Sequence, residues 1–215
     1  MSGYPIFNEI TVHWGPHYGD GPHQFLEVRY MKTQYYTATS LDGYIADENN
    51  SLDWLLQFGE PADSYPPFIA EVGAIAMGST TYEWLLNHEI YKDSDNPKPW
   101  PYEQPTWVFS TRNLRQVANA DIRFCRGDVE PVHREMVAVA GQKNIWVVGG
   151  GELAGMFFDK GLLDEMIITI TPVTLAGGAP LFPRRIAAPP LKVVAVQQFG
   201  KHFVEVRYEI NYQQR

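Results

Sequence analysis

The sequence predicts an α/β fold: a mixed, mostly parallel sheet with helices on both faces, closed by an antiparallel hairpin. Three observations carry this reading. Short apolar runs alternate with helix-like segments between residues 34 and 171, the pattern of β-α-β crossovers. Three of those runs end in glycine or hydroxyl residues, at Met77-Gly78-Ser79, Phe109-Ser110-Thr111 and Val148-Gly149-Gly150. Residues 191–212 alternate apolar and polar positions on either side of Gly200-Lys201, which reads as a hairpin.

The elements follow in order. Residues 1–30 differ from the rest: a Gly- and Pro-rich stretch from Trp14 to His23 reads as loop between strand-like Glu9 to Val12 and Phe25 to Tyr30. They are read as an N-terminal extension to a domain at 31–215. Gln34 to Ser40 is a β-branched and aromatic strand closed by the turn residues Asp42-Gly43. Trp54 to Phe58 is a short helix with Ser51 or Asp53 as cap. Val72 to Met77 is a strand, and Thr80 to Asn87 a helix with Ser79 as N-cap. Residues 91–105 form a polar, Pro-containing loop, followed by strands at Thr106 to Phe109 and Asp121 to Cys125. Glu130 to Ala140 is a helix, Asn144 to Val148 a strand, and Glu152 to Lys160 a helix with Gly161 past its end. Glu165 to Thr171 is a strand, and residues 172–190, with five prolines, form a long loop. Loops of that length serve binding or dimer contact.

Composition narrows the function. A chain of 215 residues suits one domain with a sizeable core. A net charge of −8 repels phosphate backbones, so nucleic acid is not an expected partner. The apolar runs are too short to cross a bilayer, and Met1 to Pro5 has no leader-like character. The single Cys125 excludes an internal disulfide and a cysteine-rich zinc site. His13, His17 and His23 lack the partners of a metal site. The expectation is a cytoplasmic protein acting on a small molecule, with no metal.

Four constellations carry the chemistry. At Gly149-Gly150-Gly151 a strand turns into a helix with no side chains in the way, so backbone N–H groups and the helix N-terminus can meet a pyrophosphate. A plain tight turn is the alternative, against which stands the entropic cost of three glycines. The spacing Gly149-x-Gly151-x-x-Ala154 matches a Rossmann fingerprint formally, but no further parallel units follow. Gly78-Ser79-Thr80-Thr81 forms either a second phosphate cradle or a simple cap. Ser110-Thr111-Arg112 ends a third strand, and Arg112 can fork onto a phosphate or lie free as a loop arginine. Strand ends of a parallel sheet share one edge, so the three turns can hold one extended, multiply phosphorylated cofactor such as NADPH. Around Ser40 to Ala46, Asp42-Gly43 is either a turn alone or part of a loop over a nicotinamide, with Asp42 toward the substrate. Asp53 is a helix cap or a second carboxylate of that cleft, and either acid can assist protonation of a reduced product.

The segments SLDGYIA (40–46), AIAMGSTTYE (74–83), VFSTR (108–112), IWVVGGGELAGMFF (145–158) and LLDEMIITITPVTLAGGAPLF (162–182), in that order, resemble the dihydrofolate-reductase-like superfamily. They are similar to the reductase domain of the bifunctional riboflavin-biosynthesis deaminase/reductase and to small bacterial dihydrofolate-reductase-like proteins related to it. The resemblance implies a three-layer fold on an eight-stranded sheet with NADPH across the strand ends. By matching motifs, Gly149, Gly150, Gly151, Glu152 and Leu153 lie along the pyrophosphate and nicotinamide. Gly78, Ser79, Thr80 and Thr81 hold phosphate. Ser110, Thr111 and Arg112 take the 2′-phosphate end, and Ala38 and Ile45 line the nicotinamide. Asp42 and Asp53 take the substrate side as catalytic carboxylates. The implied activity is hydride transfer to a planar heterocyclic or ribosylamino-pyrimidine-type substrate, in a homodimer. The alternative is a nucleotide-binding protein of the same fold without efficient turnover.

Overall fold

A computed structural model describes residues 30–59 and 64–212. The strand-like segments and the three histidines of the N-terminal extension lie outside the described residues. In chain order the elements are β1 (Thr33–Thr39), β2 (Tyr44–Ala46), α1 (Asp53–Leu56), α2 (Tyr65–Ala70), β3 (Val72–Gly78) and α3 (Ser79–Leu85). There follow β4 (Thr106–Phe109), β5 (Ile122–Cys125), α4 (Val129–Ala140), β6 (Asn144–Gly149) and α5 (Gly151–Asp159). The chain closes with β7 (Glu165–Ile170), β8 (Ala179–Pro180), β9 (Lys192–Phe199) and β10 (Phe203–Glu209).

Eight strands form one sheet in the order β5-β4-β3-β6-β1-β7-β10-β9. The pairings from β5 through to β7 are parallel, while β10 runs antiparallel to both β7 and β9. The expected mixed sheet and terminal hairpin are both present. A separate two-stranded sheet, β2 with β8, escapes the sequence reading. It joins segments more than a hundred residues apart, and Pro180 within it reads as a loop residue.

The strand pleat explains the two-sided core. Tyr35, Ala74, Ala76, Ile145 and Val147 point to one face, where Val132, Met136, Leu153 and Phe157 of α4 and α5 bury them. Tyr36, Ile75, Met77 and Trp146 point to the other face, against Tyr82 and Leu85 of α3 and Phe68 of α2. The indole N–H of Trp146 donates to the Tyr36 carbonyl at 3.0 Å, so this large ring is buried without an orphan donor.

Several local expectations need correction. Gly78, not Ser79, precedes α3, and Ser79 is its first helical residue. The helix does not run on regularly to Asn87 but widens into a π-helical turn, Leu86–Ile90, which buries Leu86 and Ile90. Leu52 takes the cap position of α1, and the Ser51 hydroxyl accepts the Asp53 N–H at 3.0 Å. Helix α2 lies in a stretch to which the sequence reading assigned no element; its Pro66 and Pro67 both sit in the first turn, where no N–H is needed. Asp128 caps α4 as an acceptor of the Glu130 N–H. No described helix is long and apolar enough to cross a membrane.

Candidate active site

Parallel pairing sets the carboxyl ends of β4, β3, β6 and β1 side by side. Gly78 is in register with Phe109, and Met77 with Gly149. A cavity of about 640 Å³ opens there. Of the residues expected at a cofactor, Ile45, Gly78, Ser79, Thr80, Thr81, Gly149, Gly150, Gly151, Glu152 and Leu153 all line it.

The others do not. Thr37 reaches the cavity, and the pleat sends its neighbour Ala38 to the opposite face of the sheet. Phe109 lines the cavity, but Ser110, Thr111 and Arg112 lie beyond it. Ser110 is buried and its hydroxyl accepts the Arg112 N–H at 3.0 Å, while the Arg112 guanidinium forks onto Glu83 of α3 at 2.9 and 2.6 Å. The Asp42 carboxylate is also turned away: it accepts the Ser40 hydroxyl at 2.6 Å and the backbone N–H groups of Leu175 and Ala176. The Ser40 hydroxyl first, then those two amides, hold its carboxyl below the usual range. An acid so engaged is a poor proton donor. Asp53 is exposed at the start of α1, next to Leu52, which does line the cavity.

The glycines of the cavity wall differ in what they allow. At Gly151 a Cβ would come within 2.3 Å of the Leu181 carbonyl oxygen and 2.5 Å of that of Pro180, so the packed chain itself requires glycine. At Gly150 the nearest atom to a Cβ would be Ile45 Cδ1 at 3.8 Å, and at Gly78 the nearest would be at 3.6 Å. Both have ordinary extended backbones, with φ of −83° and −79°. The fold by itself would accept a side chain at these two positions. The Gly149–Gly150 peptide is cis. Helix α5 starts directly after this turn, and no side chain caps its first N–H groups.

Sequence reasoning missed Arg184. Its guanidinium binds both oxygens of Glu152, at 2.7 and 3.0 Å, and Asp159 at 2.8 Å. It lies over α5 at Gly155, where a Cβ would stand 2.7 Å from its Cζ. Arg184 holds the Glu152 carboxyl below the usual range. No local pattern signals this clamp, because its partners sit some thirty residues earlier, on α5. Asn50, Leu52, Trp84, Met156 and Pro183 of the lining were missed too. Among the described lining residues Glu152 is the only charged one, and Arg184 neutralises it. A near-neutral cavity walled by Ile45, Leu52, Trp84, Phe109 and Met156 suits flat, uncharged ring systems.

Comparison with known proteins agrees with this geometry. The model of the RibD C-terminal domain family matches residues 92–204. The uncharacterized protein YwjB of Bacillus subtilis (strain 168) is 32% identical over 171 residues, covering 79% of this chain and 93% of the relative. A solved structure from Shewanella sp. PV-4, of a protein named for riboflavin biosynthesis, is 27% identical with a TM-score of 0.67, covering 83% of this chain and 98% of that one. Dihydrofolate reductase from Enterococcus faecalis, solved with NADP(H), shares the fold at 14% identity and a TM-score of 0.53, covering 84% of this chain and 97% of that one. The family model and these relatives place the chain in the RibD C-terminal domain family, on a fold it shares with dihydrofolate reductase.

Proposed function

We propose that this chain is an NADPH-dependent reductase, with residues 31–215 as its catalytic domain. Its substrate is a planar heterocycle, of the kind in which a ribosylamino-pyrimidine is reduced. One observation carries the reading: Gly78 and Gly150 leave bare backbone on the cavity wall at positions where the fold would accept a side chain. Bare backbone there serves a ligand that must approach closely.

In this reading the N–H groups at the start of α5 and the hydroxyls of Ser79, Thr80 and Thr81 bind the pyrophosphate. NADPH, when bound, supplies the hydride. The chain orients that transfer: Ile45 and the Gly149–Gly150 backbone define one wall, and Leu52, Trp84 and Phe109 exclude water and hold planar rings. Arg112 takes the 2′-phosphate after release from Glu83. Asp42 acts as a positioning residue that fastens the 175–176 segment, and Asp53 stays the candidate for a substrate-side carboxylate. A homodimer is the expected form, supported by the exposed Val194, Val196 and Val204 of the outer hairpin. The cytoplasm is the expected compartment, which suits the sole thiol.

The test is a fluorescence titration with NADPH and NADH on the intact chain and on Gly150→Ala, followed by a screen of NADPH oxidation against pyrimidine and pterin substrates. NADPH binding that weakens at least about tenfold in a stably folded Gly150→Ala supports the reading. Equal affinity in both proteins refutes it.

One observation favours a second reading, a nucleotide-binding protein without efficient turnover. Glu152 is the only ionisable residue among the described lining residues, and its carboxylate is bound to Arg184, so no lining acid is free to protonate a product. Tight NADPH binding with no oxidation by any substrate of the screen would favour it.

A further inference from the structure

Glu152 stands in the first turn of α5, at the end of the helix whose N–H groups no side chain caps. A carboxylate there is drawn to the positive end of the helix and competes with any other anion for it. Glu152 is also the only charged residue among the described residues that line the cavity. A pyrophosphate brought to this turn meets a like charge unless Glu152 is held elsewhere.

Arg184 does the holding. Glu152, Gly155 and Asp159 follow one another at i, i+3 and i+7, on one stripe of α5. The guanidinium lies along that stripe, with Nη1 and Nη2 donating to the two Glu152 oxygens at 3.0 and 2.7 Å and Nε to Asp159 at 2.8 Å. Gly155 provides the room, since a Cβ there would stand 2.7 Å from Cζ and 2.9 Å from Nε of Arg184. The Glu152 carboxylate is thereby tied to a cation that lies over Gly155, one turn further into the helix. Stability does not account for the arrangement: the Glu152 side chain is 69% exposed, and exposed ion pairs contribute little to folding.

We propose that Arg184 is a positioning residue for the cofactor: it neutralises Glu152 and draws its carboxylate off the N-terminus of α5, which leaves that turn open to a pyrophosphate. The inference rests on the reductase reading above. Arg184 acts through Glu152 and needs no contact with the cofactor.

The experiment is a fluorescence titration of the full chain with NADPH at low and at high salt. It compares wild type, Arg184→Gln, Gly155→Ala, and the double variants that add Glu152→Gln to each. Arg184→Gln is expected to weaken NADPH about tenfold at low salt, and less at high salt, where the freed carboxylate is screened. Gly155→Ala displaces the guanidinium without changing the charge of the chain, and it is expected to weaken NADPH in the same direction. Adding Glu152→Gln is expected to restore both to within about threefold of wild type. Rescue by a second substitution cannot come from misfolding, which circular dichroism monitors in parallel. Undiminished affinity in Arg184→Gln, or a loss that Glu152→Gln leaves in place, would overturn the proposal, while the reductase reading stands on NADPH binding by wild type. A wild type that binds no NADPH would overturn both.

Discussion

The Asp42 carboxylate accepts the backbone N–H of Ala176 at 2.8 Å, across 134 residues of sequence. Ala176 has a φ of +60°, a left-handed backbone that costs a residue with a Cβ about 1–2 kcal/mol. The hydrogen bond thus holds a residue in a conformation it would otherwise leave. Ala176→Gly is expected to raise stability by about 0.5–1 kcal/mol in urea denaturation. Unchanged or lower stability would mean that the conformation carries no cost here.

The same carboxylate gives a pH dependence. Its folded value lies below the ordinary 3.8, with the Ser40 hydroxyl as the largest cause. Its contribution is therefore present above the unfolded value and disappears as pH falls through the lower folded value. Thermal melts below pH 4 should fall more steeply for wild type than for Asp42→Asn. Parallel curves would remove Asp42 from the account of acid stability.

Gly150 and Gly151 are neighbours with opposite expected behaviour. Gly151→Ala drives a Cβ into two carbonyl oxygens and should cost about 1–3 kcal/mol or more. Gly150→Ala should leave the melting temperature near that of wild type and act on NADPH binding alone. Equal destabilisation of the two would contradict the assignment of Gly150 to a ligand.

His133 pairs its Nε2 with the Thr33 hydroxyl at 2.9 Å and lies edge-on to Phe157. Burial pushes its imidazole below the ordinary 6.5. The unfolded chain then takes up the proton first, so stability is complete above about pH 6.5 and declines as pH falls toward the folded value. His133→Gln should flatten the curve between pH 6.5 and 5. Phe157 itself is fully buried, and Phe157→Ala is expected to cost about 3–5 kcal/mol in the same assay.

Arg112 and Glu83 form an exposed pair, worth about 0–1 kcal/mol, which a phosphate can displace. Arg112→Ala should weaken NADPH about tenfold and leave NADH unchanged. Glu83→Gln should tighten NADPH. An equal loss for both cofactors would place the adenosine end elsewhere.

What was legible in the chain was what local pattern dictates. The β-branched run Thr106–Phe109 and the glycine turns after β3 and β6 announce themselves, because each is settled by residues next to one another. Partnerships across the chain left no trace. Nothing near Asp42 names Leu175 and Ala176, nothing near Glu152 names Arg184, and nothing near Arg112 names Glu83. Those three pairings decide which charged residues face the cavity, so the glycine and hydroxyl half of the site was readable and the carboxylate half was not. Helix α2 went unassigned although its signal is local, since prolines break a helix only beyond its first turn.

The position of β1 has a consequence for synthesis. It lies at the middle of the sheet, yet both strands that flank it come late: Thr33 waits for Ile145, and Gln34 for Glu165. A chain emerging from the ribosome can pair β3 with β4 and β4 with β5, but it must carry Tyr35 and Tyr36 unpaired for more than a hundred residues. The sheet is closed from its centre only when β6 and β7 arrive. Assembly is then governed by long-range encounters, which makes it slow and leaves β1 open to wrong partners until the last third of the chain is made.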